Sequence, residues 1–560
     1  MSTDTQPGEI QWREWSDETF AQAQREDKPV LLDISAVWCH WCHRMDRDTY
    51  SDPEIRRLVG ELYIPVRVEN DARPDINERY NQGGWPTTAF LTPTGEVIYG
   101  ATYLPPDQMK RVLVEVNRAY ALNKDQLLQQ IAGIKARRPS EARPAPPGIP
   151  ETVVADVLHA LHRNFDPHHG GFGTEPKFPV PEAVVFALSQ RGSTGGEGLL
   201  SLATKTLDGM IGLYDQVDGG FHRYSVTPDW TVPHYEKMLE GNAGLAIAYA
   251  AGYVVTGDKR YADVLKGTLA YMTGTLHGDN GGFYGSQDAD VGSHDEAAEF
   301  VTGEEYFPLG REERARVGTP FVDKTVYSGW NGLCITALVE GHRALGDEAY
   351  LRAAEKAADM LLATGANAEG ALWRVVGNPN SALGLLADQV PVARGLLSLY
   401  EATGARRYLD AAQRVMAFAE AHLADPIGGG FYDRPESGDA LGALAERRRD
   451  LPDNALTAQV LLRLHLLTGE ERYRQEAELA LRAFGDQYPA YGYFAGGYAQ
   501  AVQMLLRPVH VTVLGPAGDA EAESRWQKVY RAFDPGAVRE RQDSDRVVAR
   551  VCIGTECREE

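Results

Sequence analysis

The chain has 560 residues, of which 43% are hydrophobic and 24% charged, a composition that excludes a wholly disordered protein. Its formal net charge of −23 argues against nucleic acid or an anionic membrane as a partner, because both would repel it. There is no apolar run long enough for a membrane helix, and five cysteines cannot build a disulfide scaffold. The polar start shows no secretory signal, so we expect a cytoplasmic protein.

The first part of the chain alternates helix and strand signals. Ser16 is a helix N-cap, and strands are predicted at residues 29–34 and 62–69, with a hairpin over 87–91 and 96–100. The first strand ends at Cys39-His40-Trp41-Cys42-His43, where a helix follows. A strand, a CxxC motif and a helix, with a hairpin downstream, are typical of a thioredoxin-like fold. We therefore predict a thioredoxin-like domain over residues 1–125.

The two cysteines of this motif suit thiol chemistry. A helix N-terminus stabilises negative charge, so we expect Cys39 to have a lowered pKa and to attack as the thiolate. Cys42, one turn later, could resolve a mixed disulfide formed at Cys39. In thioredoxin-like folds a cis-proline packs against this pair, and Pro86 after Trp85 stands where it belongs. Trp85 and Pro86 are candidate substrate-binding residues.

Other interpretations of the same motif stay open. C-x-x-C-H is also the haem attachment pattern, although haem c is attached outside the cytosol. Zinc is a second possibility, but Cys39, His40, Cys42 and His43 crowd into five residues and can hardly form one tetrahedral shell alone. The fold could also keep the motif without redox turnover, because bulky His40 and Trp41 replace the small residues common in efficient dithiol enzymes. We predict no metal and no cofactor.

A Pro-rich linker at residues 137–150 precedes a degenerate repeat over 151–505. One recurring turn, which we expect to end one helix at its glycine and open the next, has a tyrosine four residues after that glycine, as in Gly257 and Tyr261. The other is Gly-Gly-aromatic, as in Gly219-Gly220-Phe221. Ala- and Leu-rich amphipathic helices lie between them. Roughly a dozen helices arranged as hairpins predict an (α/α)6 toroid around a central cavity, with a helical solenoid as the alternative.

The densest cluster of chemistry-capable residues in the toroid runs from 218 to 238. Polar groups interleaved with aromatics suit a sugar-like ligand, and His222 and His234 could act as a proton-donor and proton-acceptor pair. The predicted catalytic residues here are His222, His234 and Glu236; the predicted ligand-binding residues are Arg223, Tyr224, Trp230 and Lys237. His234, Glu236 and Lys237 could instead brace a helix N-terminus and the cavity wall.

Further polar residues open later helices or turns of the toroid. Asp288 and Asp290 offer paired carboxylates on the predicted cavity rim, for glycosidic acid/base chemistry or for capping a turn. We add as candidate ligand contacts, each of which could instead be a helix cap, Trp330, Asn331, Asp388, Asp453 and Asn454. Residues 506–560 predict a small α/β appendage with strands at 509–515 and 546–552 around a helix.

Several long motifs can be compared with known families: Val37 to His43, Gly83 to Thr87, Gly219 to Ser225, Val232 to Leu239, Asp288 to Asp290 and Trp330 to Leu333. Together they resemble the spermatogenesis-associated protein 20 family of thioredoxin-domain-containing proteins. The resemblance implies an N-terminal thioredoxin-like domain joined to a six-hairpin glycosidase-like (α/α)6 toroid, similar to that of N-acylglucosamine 2-epimerases. Cys552 and Cys557 match a terminal cysteine pair of relatives and could form a second dithiol.

The leading interpretation is a thiol-disulfide oxidoreductase acting through Cys39 and Cys42, fused to a toroid that binds or modifies a carbohydrate. Its expected partners are a carbohydrate-like small molecule and a thiol or disulfide protein. One alternative is a sugar epimerase, isomerase or glycoside hydrolase in the toroid, with the thioredoxin-like domain as a lid without redox activity. The other is a binding or scaffold protein without catalysis. Sequence gives neither the substrate nor the oligomeric state.

Overall fold

A computed structural model describes residues 9–137, 148–193, 196–295, 298–438 and 440–560. Most of the predicted linker, 138–147, lies outside the described residues. The chain forms two compact units. The first comprises Met1–Glu141, Asp288–Thr302 and Glu436–Arg447, and the second comprises Ala142–Gln287, Gly303–Pro435 and Arg448–Glu560. Two segments from the region predicted as toroid therefore belong to the first unit.

The first unit is built on a four-stranded mixed sheet with the order β2-β1-β3-β4. Central β1 pairs parallel with β2 and antiparallel with β3, which pairs antiparallel with β4. The strands are β1 (Val30–Ser35), β2 (Ile64–Glu69), β3 (Thr87–Leu91) and β4 (Val97–Ala101). Leu32 faces one apolar cluster and Leu31 the other, so both faces of β1 are covered, as expected for a buried strand. The thioredoxin-like fold is confirmed.

Five helices accompany this sheet: α1 (Asp17–Glu26), α2 (His40–Arg44), α3 (Pro53–Leu62), α4 (Pro74–Tyr80) and α5 (Pro106–Arg137). Ser16 caps α1 as predicted, its hydroxyl accepting from the Thr19 N–H. Helix α2 continues directly into a π-helical turn at Met45–Tyr50, so the CxxC motif opens a longer helical segment. Helix α5 runs past residue 125, with a break in helical geometry at Asn123.

The second unit is mainly helical. Its helices before the C-terminal tail are α6 (Val153–Asn164), α7 (Pro181–Ser189), α8 (Leu199–Met210), α9 (Leu239–Thr256), α10 (Lys259–Gly274), α11 (Gly303–Tyr306), α12 (Arg311–Val317), α13 (Ser328–Leu345), α14 (Glu348–Met360), α15 (Leu386–Thr403), α16 (Arg406–His422), α17 (Leu451–Thr468), α18 (Glu471–Arg482) and α19 (Gly496–Leu506). Short strands connect them: β5 (Tyr224–Ser225), β6 (Pro233–His234), β7 (Lys237–Met238), β8 (Ser286–Gln287) and β9 (Val322–Asp323).

Six of these helices form a closed inner ring. Helix α7 packs on α9, and the order continues through α13, α15 and α17 to α19, which returns to α7. Helices α6, α8, α10, α14, α16 and α18 pack on the outside of this ring. Because the last inner helix contacts the first, the unit is an (α/α)6 toroid, and the solenoid alternative is excluded.

Both recurring turns of the sequence have structural roles. The glycines end four inner helices in the left-handed conformation, with φ of 72° at Gly257, 75° at Gly346, 70° at Gly404 and 75° at Gly469. The tyrosine that follows is buried at Tyr261, Tyr408 and Tyr473, and Tyr350 is partly exposed. The first turn therefore closes one helix and anchors the next, as predicted.

Three of the Gly-Gly-aromatic turns are clamped by asparagines of the following inner helices. The amide of Asn242 accepts from the Phe221 N–H at 2.6 Å and donates to the Phe221 carbonyl at 3.1 Å. Asn331 holds Phe283 in the same way at 2.8 and 3.0 Å. Asn454 holds Phe431 at 2.6 and 3.0 Å. One side chain thus satisfies two buried backbone groups in each turn.

The C-terminal tail carries a second mixed sheet. It consists of β10 (Val509–Leu514), α20 (Ala520–Arg531), β11 (Ala537–Gln542), β12 (Val548–Ile553) and β13 (Glu556–Glu559), with the order β11-β10-β12-β13. Strand order and directions repeat those of the first sheet, with β10 and β11 parallel and the other pairs antiparallel. Cys552 and Cys557 face each other on β12 and β13 and form a disulfide. None of the described helices has the length and apolar character needed to cross a bilayer.

Candidate functional site

The CxxC motif lies where β1 leads into α2. Cys39 is the N-cap of α2, with φ −92° and ψ 108°, and its sulfur accepts from the Cys42 N–H at 3.2 Å. The two cysteines form a disulfide with a Cα–Cα distance of 5.2 Å. Cys39 keeps 5% of its surface exposed and Cys42 keeps 1%, so Cys39 is the less buried of the two.

The Trp85–Pro86 peptide bond is cis, as predicted. The Trp85 ring meets the Trp38 ring edge to face, with centroids 5.7 Å apart. Trp38 is the residue before Cys39, and its indole donates to Asp71 Oδ2 at 2.7 Å. The Trp85 indole in turn donates to Asn77 Oδ1 at 3.1 Å. The cis-proline turn is therefore held beside the start of the CxxC motif.

The first histidine of the motif has an acidic partner far along the chain. His40 Nδ1 lies 2.6 Å from Asp290 Oδ2, and Asp290 is only 1% exposed. The hydrogen bond to Asp290 raises the pKa of His40, against the opposing effect of burial. His40 therefore carries its positive charge to higher pH than a free histidine. That charge lies one residue from Cys39, where it favours a thiolate.

The second histidine belongs to a three-residue cluster. His43 Nε2 lies 3.6 Å and His294 Nε2 3.1 Å from Asp288 Oδ2. Both imidazole nitrogens also contact the Val37 carbonyl, at 2.9 and 3.0 Å. The Ser293 hydroxyl donates to the same Asp288 oxygen at 2.6 Å. We call His43, Asp288 and His294 the His-Asp-His cluster.

These contacts give Asp288 and Asp290 a setting that the sequence analysis did not foresee. From the sequence, the two carboxylates were expected to pair with each other on the toroid rim. In the structure both belong to the first unit, and each faces a histidine of the CxxC motif. His294 and Ser293 were missed altogether. No local sequence pattern predicts a contact between residues 250 positions apart, such as that of His40 with Asp290.

A buried carboxylate in β1 was also missed. Asp33 is 1% exposed and lies 2.7 Å from the Arg67 Nε. Burial raises the pKa of Asp33 to about 6, against the opposing charge of Arg67. Arg67 also bonds Asp46, which shares its positive charge. The available signal was an acid within the apolar run from Val30 to Ile34.

In the toroid, His234 and Glu236 lie together. His234 Nδ1 is 3.5 Å from Glu236 Oε1, and the histidine side chain is 32% exposed. Glu236 is buried, and its Oε2 has no hydrogen-bond partner among the described residues. The His234 ring stacks on Tyr224 at 4.3 Å, and Tyr224 stacks on Phe178 at 4.4 Å. This leaves a carboxylate oxygen available next to an accessible imidazole.

His222 has a different character. It is buried between Tyr235 and Phe307, and its Nδ1 lies 2.9 Å from the Tyr235 carbonyl. Burial, with a smaller contribution from the Lys237 charge, lowers the pKa of His222 to about 3. His222 is therefore neutral near pH 7 and cannot serve there as a ready proton donor.

Other predicted contact residues are engaged by the scaffold. Lys237 is fully buried and donates to Asp215 Oδ2 at 2.6 Å and to the Gly219 carbonyl at 2.8 Å. Trp230 is 1% exposed, with its indole donating to the His169 carbonyl at 3.1 Å. Asn331 and Asn454 are the turn clamps described above. These side chains hold turns in place, so a ligand would have to displace existing contacts to reach them.

The N-terminal ends of several inner helices carry acids. Glu182 in α7 and Glu240 in α9 are exposed to solvent, yet desolvation by the surrounding protein raises the pKa of each carboxyl. A carboxyl that touches solvent and is still surrounded by protein atoms lies in a recess of the surface. Arg223 and Arg374 act in the opposite direction on the pKa of Glu240. Of these four residues, Arg223 was predicted from the sequence, whereas Glu182, Glu240 and Arg374 were not.

Three further predicted residues lie at the starts of α13, α15 and α17. Asp388 Oδ1 accepts from the Gly329 N–H at 2.8 Å and from Arg374 Nη1 at 2.9 Å, so it joins α15 to α13. Trp330 is 8% exposed and packs edge to face on Tyr327. Asp453 is partly exposed in the first turn of α17.

Comparison with known proteins agrees with these two units. A family model named Thioredox_DsbH, described as a protein of unknown function, DUF255, matches residues 3–137. Spermatogenesis-associated protein 20 of Mus musculus is 29% identical over 611 residues, covering 85% of this chain and 76% of that protein. The resemblance found in the motifs is thereby confirmed.

Two shorter or more distant likenesses complete the comparison. Thiol:disulfide interchange protein DsbD 1 of Pseudomonas aeruginosa is 32% identical over 83 residues, 14% of each chain. Among solved structures, cellobiose 2-epimerase from Spirochaeta thermophila superposes with a TM-score of 0.49 at 19% identity. That superposition covers 63% of this chain and 96% of the epimerase.

Proposed function

We propose that this chain, a homologue of spermatogenesis-associated protein 20, is a thiol-disulfide oxidoreductase that works through Cys39 and Cys42. The observation that carries the proposal is the position of Cys39. Its sulfur caps a helix and accepts the Cys42 N–H, which is the environment that stabilises a thiolate. The likeness of the first unit to DsbD proteins, named for disulfide interchange, supports the same chemistry.

The reaction starts from the reduced dithiol. The Cys39 thiolate attacks one sulfur of a substrate disulfide, forms a mixed disulfide and releases the first substrate thiolate, which takes a proton from water. Cys42 then loses its proton and attacks the Cys39 sulfur. The mixed disulfide breaks, the second substrate thiol leaves, and the Cys39–Cys42 disulfide remains. Two electrons pass to the substrate, and an external dithiol must restore the reduced form.

The neighbouring histidine supports the first step. His40 stays protonated to higher pH because of Asp290, and its charge offsets the negative charge of the Cys39 thiolate. The bulky Trp41 beside it is 48% exposed, which provides an apolar surface for a protein substrate next to the disulfide. We therefore propose a protein disulfide, in a reducing cytosol, as the substrate class.

Trapping distinguishes this mechanism from a motif without turnover. Cys42→Ser should accumulate a mixed disulfide with a disulfide-bonded test protein such as insulin, whereas Cys39→Ser should form none. Cys557→Ser is the matched control, because it removes a cysteine of the other disulfide and leaves the CxxC motif intact. If the wild type does not reduce insulin with dithiothreitol as the electron source, and Cys42→Ser traps nothing, the proposal fails.

A second function is proposed for the toroid, namely binding a carbohydrate-like ligand. The supporting observation is Glu236 Oε2, a buried acceptor without a partner among the described residues, beside the accessible imidazole of His234. The recessed Glu182 and Glu240 add carboxyls that hold protons at higher pH than usual. Hydrogen-bond acceptors of this kind can bind sugar hydroxyls. Groups that take a proton from a bound sugar and return it would support epimerase or isomerase chemistry.

A panel of monosaccharides and disaccharides tests the second function by calorimetry and by sugar analysis after incubation. Glu236→Gln and His234→Ala should each weaken binding at least about tenfold, the loss of one hydrogen bond to a charged group. His162→Ala is the control, because His162 lies on outer helix α6 and its imidazole bonds the Leu158 carbonyl of that helix. If no sugar binds to the wild type, the toroid acts as a scaffold.

A further inference from the structure

The His-Asp-His cluster has the composition and spacing of a metal site. We propose that His43, Asp288 and His294 bind one divalent transition-metal ion of the zinc class, directly beside the Cys39–Cys42 disulfide. One ligand atom of each side chain lies within 4.8 Å of the others. Two imidazoles and a carboxylate are a donor set that zinc and its neighbours prefer in proteins. His43 follows Cys42 directly, which places the ion at the dithiol helix.

The separations match tetrahedral coordination. Each imidazole Nε2 contacts the Val37 carbonyl oxygen and Asp288 Oδ2, at 2.9 and 3.6 Å from His43 and at 3.0 and 3.1 Å from His294. A tetrahedral ion with bonds of about 2.0–2.1 Å holds its ligands about 3.3–3.4 Å apart. The imidazole–carboxylate separations lie on both sides of this value and the two carbonyl contacts lie slightly below it, so these four pairs require only small movements around an ion.

Hydrogen bonds within the cluster satisfy fewer of its polar atoms than a bound ion would. His294 Nε2 lies within hydrogen-bond distance of both the Val37 carbonyl and Asp288 Oδ2. His43 Nε2, in contrast, bonds the Val37 carbonyl and stands 3.6 Å from Asp288 Oδ2, too far for a hydrogen bond. A cation would instead contact all the donor atoms at once. Its binding moves the imidazole proton to Nδ1, and His43 Nδ1 is buried without a hydrogen-bond partner among the described residues. At His43 the ion would therefore replace the Nε2–H hydrogen bond to the Val37 carbonyl, while Nδ1 has no bond to lose within the described part of the chain.

The carboxylate is already oriented for this role. Ser293 Oγ donates to Asp288 Oδ2 at 2.6 Å, and the Asp290 N–H donates to Oδ1 at 3.2 Å. Such partners fix a ligand in place and are a regular part of metal sites. The Asp288 side chain is 1% exposed and that of His43 11%, whereas the His294 side chain is 30% exposed and leaves a route for the ion.

Metal titration of the full-length, oxidised protein tests the proposal. With the cysteines of both disulfides unable to act as thiolates, calorimetry with Zn²⁺ should show one ion per chain, and Co²⁺ should give the intense visible bands of a tetrahedral complex. His43→Ala and His294→Ala should each weaken Zn²⁺ binding at least about 100-fold, beyond the roughly 10–100-fold typical of losing an outer partner. His40→Asn, on the same helix, should bind Zn²⁺ like the wild type.

Three outcomes would overturn the proposal. The first is a wild-type protein that binds no stoichiometric Zn²⁺. The second is unchanged affinity in His294→Ala, whose partly exposed position makes it the variant best suited to remain folded, as circular dichroism would verify. The third is binding only by the reduced protein with loss in Cys42→Ser, because that result assigns the ion to cysteine thiolates. These failures leave the insulin assay unaffected, so they are distinguishable from failure of the proposed oxidoreductase activity.

Discussion

His40 Nδ1 lies 2.6 Å from Asp290 Oδ2, although 250 positions of sequence separate the two residues. The contact ties the residue after Cys39 to a segment encoded after much of the toroid. Because the imidazole ring is 31% exposed and the carboxylate 2%, the pair is partly shielded from solvent. Its charge state therefore influences both the stability of this unit and the reactivity of the dithiol.

We predict that Asp290→Asn lowers the pKa of His40, and an NMR titration of the imidazole would measure it. A raised folded-state pKa adds stability below the unfolded value of about 6.5, and this stability is lost as pH rises through the folded value. The variant should thus lose roughly 0.5–1 kcal/mol of unfolding free energy near pH 6 and much less at pH 9. A loss that is equal at both pH values would contradict the ion pair.

Cys39 should react as a thiolate below the pH at which free cysteine does. In the reduced protein, the rate of iodoacetamide alkylation against pH should give a thiol pKa below about 8.5, because a helix start and His40 both favour the anion. His40→Gln should move that pKa upward. The Cys557 thiol, on an exposed hairpin, is the internal comparison. An alkylation pKa near that of free cysteine would remove the electrostatic basis of the redox proposal.

The asparagine clamps should be important for stability. Asn331→Ala removes the partner of both the N–H and the carbonyl of buried Phe283, so unfolding in urea should show a loss of about 2–3 kcal/mol. Asn380→Ala, at an exposed loop position, should change stability by less than about 0.5 kcal/mol. Similar effects of the two substitutions would mean that the turn does not depend on its clamp.

A carboxyl pair on the outer helices should make stability fall with rising pH. Burial, with the neighbouring Glu420, raises the pKa of Glu476 to about 7 from an ordinary value of 4.5. The folded state then holds a proton that the unfolded state releases, so this contribution is present below pH 4.5 and is lost by about pH 7. Glu476→Gln should raise the melting temperature at pH 8 and leave it unchanged near pH 4.5. Glu478→Gln, on the same helix, is the control.

Much of the fold could be predicted from local signals in the sequence. Ser16 as a cap, the four helix-ending glycines and cis Pro86 each depend on a conformational preference of a few adjacent residues, and each was predicted. Strand β11 was not predicted, because its centre carries the charged residues Arg539, Glu540 and Arg541. The protein buries Arg539 by satisfying it with backbone carbonyls of residues 529, 532 and 534.

The functional residues were predicted less evenly, for a physical reason. A motif shows which groups are available, but tertiary contacts decide what they face. Asn331 was predicted to contact a ligand at a helix start, and in the structure it holds a backbone turn. Asp288 was predicted to be half of a carboxylate pair, and in the structure it lies beside His43 and His294 instead. Only the folded chain brings such distant residues together.

The placement of residues Asp288–Thr302 within the first unit has a consequence for synthesis. A ribosome completes the sheet and both cysteines early, but His40 and His43 have no acidic partners until some 150 further residues have emerged. The nascent dithiol thus passes through a stage without its carboxylates. A fragment that ends at residue 141 would hold that immature state permanently, so assays on such a fragment would describe a different reagent from the complete protein.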